Sequence, residues 1–249
     1  MDLTAKVALV TGASRGIGEA TALAMAELGA DVCVNYATHA PGAEEVVHSI
    51  GNMGRRAISI QADVAKAEDV TRLVEETLRE LGQIDILVNN AGITQPEPVF
   101  QTSKEKWDRM IEVNLTSAFL CCKAVLDHMV TRRQGSIINV SSVCGKTGEL
   151  GAGVHYCAAK AGLLGFTKAL ADQLGPYGIR VNAIAPAMIE TRMIKWRPRE
   201  LMQATIDRIP LKRLGTIQET AALIAYLASD DAGFITGSVV DLNGGMYMD

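Results

Sequence analysis

The sequence predicts an α/β protein built on a parallel β-sheet with helices packed on both faces. Short apolar stretches alternate with helical stretches of about 10–20 residues along the whole chain. The apolar stretches are nearly continuous, as in strands that are covered on both faces. With a glycine-rich turn between the first strand and the first helix, these observations predict a doubly wound, Rossmann-like three-layer sandwich of about seven parallel strands.

The predicted strands are rich in Val, Ile and Ala, and turn-forming residues follow them. "KVALVTG" runs into Thr-Gly, "IDILVNNAG" into a glycine and "IRVNAIAP" into a proline. In chain order, the strands are predicted over 6–12, 30–36, 56–64, 84–92, 135–142, 179–186 and 237–245.

The predicted helices carry apolar residues at helical spacing. Gly29, Gly82 and Gly175 stand where the first, third and fifth of them should end, a position that glycine favours. The helices are predicted over 17–29, 41–53, 66–82, 104–133, 155–175 and 217–229.

The 249 residues contain no internal repeat, linker or low-complexity tract, so we expect one domain over 1–249. The longest part without clear element character is 187–215. Doubly wound sheets bind ligands at the carboxyl ends of their strands, and this part follows a strand. We therefore predict a substrate lid around 187–210.

Composition argues against several classes of function. The formal net charge is −4 and both signs are mixed along the chain, which gives no basic surface for nucleic acid. No apolar stretch reaches the roughly 18–20 residues that span a bilayer, and the N-terminus lacks a signal-peptide layout. We expect no metal, because no cluster has the spacing of a metal site. The cysteines are odd in number without a C-x-x-C pair, which indicates reduced core residues of a cytoplasmic protein. They are Cys33, Cys121, Cys122, Cys144 and Cys157.

The first βα turn, "TGASRGIG" over 11–18, is a candidate phosphate site. Gly12 allows a tight turn, and Gly16 and Gly18 let the backbone approach a phosphate at the helix N-terminus, where free N–H groups favour anions. The spacing differs from the commoner G-x-G-x-x-G pattern. An ordinary glycine-rich turn is the alternative, but the position between the first strand and the first helix favours a dinucleotide site.

A second candidate site lies in "HYCAAKAG" over 155–162. Tyr156 and Lys160 are about one helical turn apart, so both can point into one site, and the residues around them are small. Taken alone, this pattern is more typical of an amphipathic helix with a half-buried tyrosine and a lysine that reaches water.

Six motifs decide between these alternatives. They are "TGASRGIG" at 11–18, "NNAG" at 89–92, Asn114 in "VNLT", "NVSSV" at 139–143, the Tyr156–Lys160 pair and "RVNAIAP" at 180–186. In these motifs and in the tail "FITGSVVDLNGG", the chain resembles the short-chain dehydrogenase/reductase family almost from end to end. The resemblance implies an enzyme that interconverts a ketone and a secondary alcohol by hydride transfer.

The resemblance also implies four catalytic residues. Tyr156 would exchange a proton with the substrate oxygen, and the charge of Lys160 would favour ionisation of a phenol whose ordinary pKa is about 10. Lys160 would also hold the nicotinamide ribose. Asn114 would hold a water molecule in a proton relay. Ser142 would orient the substrate oxygen; Ser141 competes for this role, and the family pattern favours Ser142.

Ser142 stands 14 residues before Tyr156. This spacing is one residue longer than in many relatives, and the loop 144–155 absorbs the extra residue. We expect that loop to affect substrate identity more than catalysis.

The end of the second predicted strand favours NADP(H). An acidic residue there would bind the ribose 2′-hydroxyl of NAD, but the alignment places Tyr36 at this position and no carboxylate follows before Glu44. Arg15 and the hydroxyls of Ser14 and Thr38 could meet a 2′-phosphate instead. The alternative for Arg15 is a solvated loop residue.

Beyond the glycine turn, the remaining cofactor contacts are those that the resemblance implies. Ala187 replaces the usual glycine after the proline of the last motif, a mild departure. The implied contacts are Gly12, Gly16, Ile17 and Gly18 in the turn, Asp63 and Val64 at the adenine, Asn90, Ala91 and Gly92 along the cleft, Tyr156 and Lys160, and Pro186, Ile189 and Thr191 near the carboxamide.

Within the family, "NYATHA", "YCAAKAGLLGFTKALA" and "IPLKRLG" are most similar to 3-oxoacyl-(acyl-carrier-protein) reductases. This implies reduction of a 3-oxoacyl thioester, with acyl carrier protein as a possible partner. Arg132 and Arg133 stand where that group has an arginine for its acidic carrier, whereas Tyr177 replaces a second basic residue. The alternative substrate is a sugar, polyol, steroid or xenobiotic ketone.

The predicted lid carries Lys195, Arg197 and Arg199 around Trp196, which suits an anionic or large substrate, although a solvated charged loop is the commoner case. The resemblance implies a homotetramer that packs through 114–126 and 158–171, with burial inside one subunit as the alternative. A non-catalytic binding protein is disfavoured, because all four catalytic positions are filled.

Overall fold

The computed structural model describes residues 1–148, 152–191 and 199–248. Its strands are β1 Val7–Val10, β2 Asp31–Tyr36, β3 Ala57–Gln61, β4 Ile86–Asn89, β5 Gly135–Val140, β6 Ile179–Pro186 and β7 Val239–Leu242. They form one parallel sheet in the order β3-β2-β1-β4-β5-β6-β7. The order reverses between β1 and β4, and doubly wound sheets bind ligands in the crevice at such a point.

The helices lie between the strands and cover both faces of the sheet. They are α1 Gly16–Glu27, α2 Ala40–Asn52, α3 Ala67–Leu81, α4 Lys104–Ile111, α5 Ser117–Arg132, α6 Cys144–Thr147, α7 Val154–Leu174, α8 Arg199–Arg208 and α9 Ile217–Ala228.

Two apolar layers hold this sandwich together. Consecutive residues of a strand point to opposite faces of the sheet. Leu9 and Ile137 therefore pack with α3, α5 and α7 on one face. Their neighbours Val10 and Ile138 pack with α1, α2 and α9 on the other. Burial on both faces explains why the strands read as continuous apolar runs.

The predicted fold class is confirmed, and the structure refines three regions. The helical region predicted over 104–133 is two helices joined by a π-helical segment, Glu112–Thr116. The stretch 187–215, which showed no clear element, contains α8, and a β-bridge pairs Ile189 with Gly215. The loop after β5 begins with the short helix α6.

Part of the predicted lid, 192–198 with Lys195, Trp196 and Arg197, lies outside the described residues. No described helix is long and apolar enough to cross a membrane. Four of the five cysteines are buried, as predicted for core residues, whereas Cys157 is half-buried; no disulfide joins them in the part of the chain that the structure describes. Burial raises the pKa of the Cys33 and Cys122 thiols to about 12, so both stay protonated and unreactive at neutral pH.

Replacing Leu9 with Ala should lower the free energy of unfolding by about 3 kcal/mol, because the fully buried side chain leaves a cavity at the centre of the sheet. Urea unfolding followed by circular dichroism measures the change. Met53 at the end of α2 is 39% exposed, so Met53→Ala should cost less than about 0.5 kcal/mol. Equal losses in the two variants would contradict the core position of Leu9.

Candidate active site

The glycine turn joins β1 to α1 at the reversal of strand order. Gly12 and Gly16 both have φ of +62°, which favours glycine. A Cβ on Gly12 would lie 3.0 Å from Cα of Ala91, whereas one on Gly16 would meet nothing closer than Cγ2 of Thr191 at 4.0 Å. The turn is therefore packed on its protein side and open above Gly16, as a phosphate cradle at a helix N-terminus requires.

Buried polar side chains hold this turn from below, and sequence reasoning missed two of them. Asn35 in β2 accepts a hydrogen bond from Gly12 N at 3.1 Å and donates to the carbonyls of Ile60 and Ala62. Thr11 accepts from the backbone nitrogens of Asn90 and Ala91. For Asn35, the available signal was an amide side chain in the interior of the buried strand "DVCVNY".

Asn90 packs against the third glycine of the turn. Its Nδ2 donates to the carbonyls of Thr11 and Gly12. A Cβ on Gly18 would lie 2.5 Å from that Nδ2 atom, so only glycine fits there. Ile17, between the two last glycines, is half-buried at the start of α1.

The residues predicted for the nucleotide lie around the ends of β2 and β3. Arg15 and Thr38 are exposed and Tyr36 is half-buried, whereas Ser14 is buried. Arg15 forms no ion pair or hydrogen bond through its guanidinium with the described residues. Its charge is therefore available for an anion.

Asp63 and Val64 follow β3. The carboxylate of Asp63 accepts from Ala65 N and lies 3.4 Å from the Arg109 guanidinium, and Val64 is buried. At the other end of the cleft, Pro186 closes β6, Ile189 is buried, and Thr191 faces Gly16. The predicted cofactor residues thus lie along the carboxyl ends of the strands, around the point where the strand order reverses.

Lys160 lies inside the protein beside β5. Its side chain is only 4% exposed, and Nζ donates to the carbonyl oxygen of Val140 at 2.8 Å. The same Nζ is 5.7 Å from the ring centroid of Tyr156, which is half-buried. Burial lowers the pKa of Lys160 to about 8. The structure therefore brings the two residues together, as their spacing predicts, and the lysine does not reach out to water.

Asn114 joins this group through the π-helical segment, and such segments occur frequently at functional sites. Its Nδ2 donates to the Met110 carbonyl and its Oδ1 accepts from Ile93 N at 3.2 Å. A Cβ on Gly92 would lie 2.7 Å from that Oδ1 and 3.6 Å from Nζ of Lys160. Gly92 thus keeps open the space that Asn114 and Lys160 share.

The two serines after β5 differ in what they bind. The Ser141 hydroxyl donates to the Lys160 backbone carbonyl at 2.9 Å, which ties the strand end to α7. The Ser142 oxygen accepts from Cys144 N at 3.2 Å, so its proton can serve a ligand. This geometry favours Ser142 for contact with substrate and a structural role for Ser141.

The arginines predicted to bind an acidic partner lie away from the cleft. The Arg132 guanidinium pairs with the buried Asp85 carboxylate at 2.8 Å. Arg133 is exposed and donates to the Pro176 carbonyl, next to Tyr177. Arg133 is therefore the more accessible of the two charges.

Comparisons with known proteins identify the family of this chain. A family model described as "Enoyl-(Acyl carrier protein) reductase" matches residues 12–247. The structure of a chain described as a short-chain alcohol dehydrogenase from Sinorhizobium meliloti superposes with a TM-score of 0.94 at 38% identity, covering 98% of this chain and 97% of that one. The chain belongs to the short-chain dehydrogenase/reductase family and is an oxidoreductase.

Curated relatives carry a more specific name. A 3-oxoacyl-(acyl-carrier-protein) reductase of Synechocystis is 47% identical over 247 residues, covering 99% of this chain and 98% of the relative. Reductases of the same name from Vibrio cholerae and Staphylococcus epidermidis are 45% and 44% identical, over 100% and 98% of this chain and 100% and 99% of their own lengths. The predicted resemblance is therefore confirmed.

The buried ammonium of Lys160 should make the stability of the apoenzyme depend on pH. The lysine loses its proton near pH 8 when folded and near 10.5 when unfolded, so the unfolded chain binds more protons between these values. Below about pH 8 the folded chain bears the full free-energy cost of burying the ammonium, and this cost disappears as the pH approaches 10.5. The free energy of unfolding, relative to a Lys160→Met variant, should therefore rise by about 3 kcal/mol over this range.

Urea titrations at a series of pH values measure this difference. Lys168→Met, at an exposed position of the same helix, is the matched control and should show no such trend. A pH-independent difference for Lys160→Met would contradict the burial of a charged amine.

Proposed function

We propose that the protein is a single-domain, NADP(H)-dependent reductase of 3-oxoacyl thioesters, with acyl carrier protein as the carrier of its substrate. The observation that carries the proposal is the grouping of Tyr156, Lys160, Ser142 and Asn114 around the end of β5, beside an open glycine turn. The names of the full-length relatives support the choice of substrate.

The cleft fits a nicotinamide dinucleotide. The open space above Gly16, at the N-terminus of α1, suits a pyrophosphate. Arg15 and Thr38 are exposed where a 2′-phosphate would lie, and β2 ends without a carboxylate. A phosphate forms strong charge-assisted bonds with arginine, so these residues favour NADP(H) over NAD(H).

The bound cofactor supplies the hydride. Tyr156 gives its phenol proton to the ketone oxygen, and the Ser142 hydroxyl donates a hydrogen bond that orients the same oxygen. The positive charge of Lys160 stabilises the phenolate form of Tyr156. Because Lys160 is buried, water screens this charge only weakly. By the family resemblance, Asn114 would hold a water molecule that returns a proton from solvent towards Lys160.

The partner side of the proposal rests on charge and on apolar surface. Arg133 offers a positive group to an acidic carrier protein, whereas the ion pair between Arg132 and Asp85 leaves one accessible arginine there.

Phe119 on α5 is 46% exposed and contacts Phe166 on α7 edge to face. This surface supports a homotetramer that packs through these helices, and a cytoplasmic location suits five free thiols.

A second candidate function is reduction of a sugar, polyol, steroid or xenobiotic ketone. Tyr177 is exposed at the position where the alignment with acyl-carrier-protein reductases places a basic residue. This weakens the carrier-protein surface and leaves the catalytic group unchanged.

The reaction is tested by following NADPH oxidation at 340 nm with acetoacetyl thioester and a panel of sugars, polyols and ketones. We expect thioester turnover, and we expect Tyr156→Phe to lose at least about a hundredfold in kcat while its Kd for NADPH changes less than about twofold, because the phenol donates the proton but the ring remains. Negligible thioester turnover with a hit elsewhere would favour the second candidate. Full activity of the variant would exclude the proposed mechanism.

Cofactor choice is tested with Arg15→Ala. Loss of the guanidinium should lower kcat/KM for NADPH by about tenfold to a hundredfold and leave kcat/KM for NADH within about twofold, since only NADPH carries the 2′-phosphate. Arg79→Ala, at an exposed position of α3, is the matched control and should leave kcat/KM for both cofactors unchanged. Equal losses with both cofactors would show that Arg15 does not recognise the phosphate.

A further inference from the structure

We propose that His155 and Glu97 form a positioning pair that fixes the first turn of α7 and thereby sets the place of the Tyr156 side chain. The inference rests on the proposed role of Tyr156 as the proton donor. Neither His155 nor Glu97 takes part in the mechanism proposed above. His155 directly precedes Tyr156, and the Glu97 carboxylate lies beside the His155 ring.

His155 binds the backbone of the catalytic residue. The ring is completely buried, and its Nδ1 accepts a hydrogen bond from Tyr156 N at 3.0 Å. The first amides of a helix have no partner within the helix. Here the preceding side chain satisfies one of them, so the orientation of the ring and the position of Tyr156 are linked.

The surrounding backbone allows the ring little freedom. Gly153 precedes α7 with φ of +77°, and a Cβ there would lie 2.7 Å from Cε1 of His155 and 3.0 Å from the Gln95 carbonyl oxygen. The imidazole is thus held between the turn before α7 and the segment after β4. A larger residue at 153 would displace it.

The far side of the ring faces a carboxylate. Nε2 of His155 lies 3.6 Å from Oε1 of Glu97, and within the described part of the chain neither atom has a hydrogen-bond partner. The Glu97 side chain is 8% exposed, and its other oxygen accepts from Nζ of Lys106 on α4 at 2.6 Å. A polar chain therefore runs from Lys106 through Glu97 and His155 to the Tyr156 amide.

The bond from Tyr156 N also determines the state of the imidazole. Since Nδ1 accepts, it carries no proton, and the ring proton lies on Nε2, towards Glu97. A small approach of Glu97 completes that hydrogen bond and locks the ring. Loss of the Nδ1 acceptor would release the turn that carries Tyr156, and a misplacement of about 1 Å can cost roughly a hundredfold in rate.

Two substitutions separate the two ring nitrogens. In His155→Asn, the shorter side chain keeps an acceptor near the Nδ1 position but cannot reach Glu97. In His155→Gln, the side chain keeps a donor near the Nε2 position but lacks the acceptor for Tyr156 N. We expect His155→Gln to lower kcat about tenfold and His155→Asn to stay within about threefold of wild type. His48→Gln, on the exposed face of α2, is the control and should leave kcat unchanged.

Glu97 is tested by coupling. Glu97→Ala should lower kcat about fivefold in the wild-type background and cause no further loss in His155→Asn, because the carboxylate acts only through the ring. The Kd for NADPH should change less than twofold throughout. A merely structural role would lower Tm without this pattern. Equal effects of Glu97→Ala in both backgrounds, or a wild-type kcat for His155→Gln, would overturn the proposal.

Crystal structures of the two His155 variants make the test independent of substrate identity. We expect the Tyr156 hydroxyl to move by more than about 0.5 Å relative to Ser142 in His155→Gln and to stay in place in His155→Asn. If the wild type failed to reduce thioesters, this comparison would still decide the inference. An unmoved tyrosine in both variants would refute it.

Discussion

The burial of one charged amine, that of Lys160, is the constraint on which the catalytic site depends. An ammonium in a protein interior is unfavourable unless fixed partners surround it. The Val140 carbonyl at the end of β5 accepts a hydrogen bond from its Nζ, and the Ser141 hydroxyl donates to the lysine's own backbone carbonyl. The end of β5 and the first half of α7 are thereby held together. Ser142 directly follows Ser141, and Tyr156 lies one helical turn before Lys160.

Small residues make this arrangement possible. A Cβ on Gly145 would lie 2.7 Å from the Lys160 carbonyl carbon, so α6 can approach α7 this closely only at glycine. Gly92 leaves room between Asn114 and Nζ of Lys160. Beneath them, Asn139 accepts from Asn89 and donates to Thr167, which joins β4, β5 and α7 through buried hydrogen bonds. Buried polar networks of this kind specify one arrangement because an unpaired member is costly.

Much of this could be predicted from the sequence because the signals are local. The apolar strands, the glycines that end helices and the pattern "TGASRGIG" each depend on a few consecutive residues, and the sheet and the turn followed from them. The spacing of Tyr156 and Lys160 placed them on one helix face. The spacing alone did not predict that the Lys160 side chain points into the protein, because a lysine on a helix ordinarily reaches water.

The parts that could not be predicted depend on residues far apart in the chain. Asn35 supports Gly12 across 23 positions, and Glu97 meets His155 only because the segment after β4 folds over the start of α7. The π-helical residues around Asn114, "EVNLT", contain no glycine or proline that would mark an interruption of the helix, so they give no local signal of the changed geometry. Helix α8 has a short, mostly polar sequence, and its apolar positions were too few to show a period.

The topology also separates catalysis from substrate choice. Parallel strands bring all their carboxyl ends to one edge of the sheet, so the glycine turn after β1, Gly92 after β4 and Ser142 after β5 are neighbours whatever the loops do. The described parts of the loop 144–155 and of the region after β6 follow these same strand ends, and loops vary more readily than the elements that they connect. The four proposed catalytic residues therefore depend on the sheet and its strand ends rather than on the outer loops. We assign the choice of ketone to the outer loops. His155 links the loop to the helix that carries Tyr156, since its ring packs against Gly153 in the loop and its Nδ1 accepts from Tyr156 N in the helix.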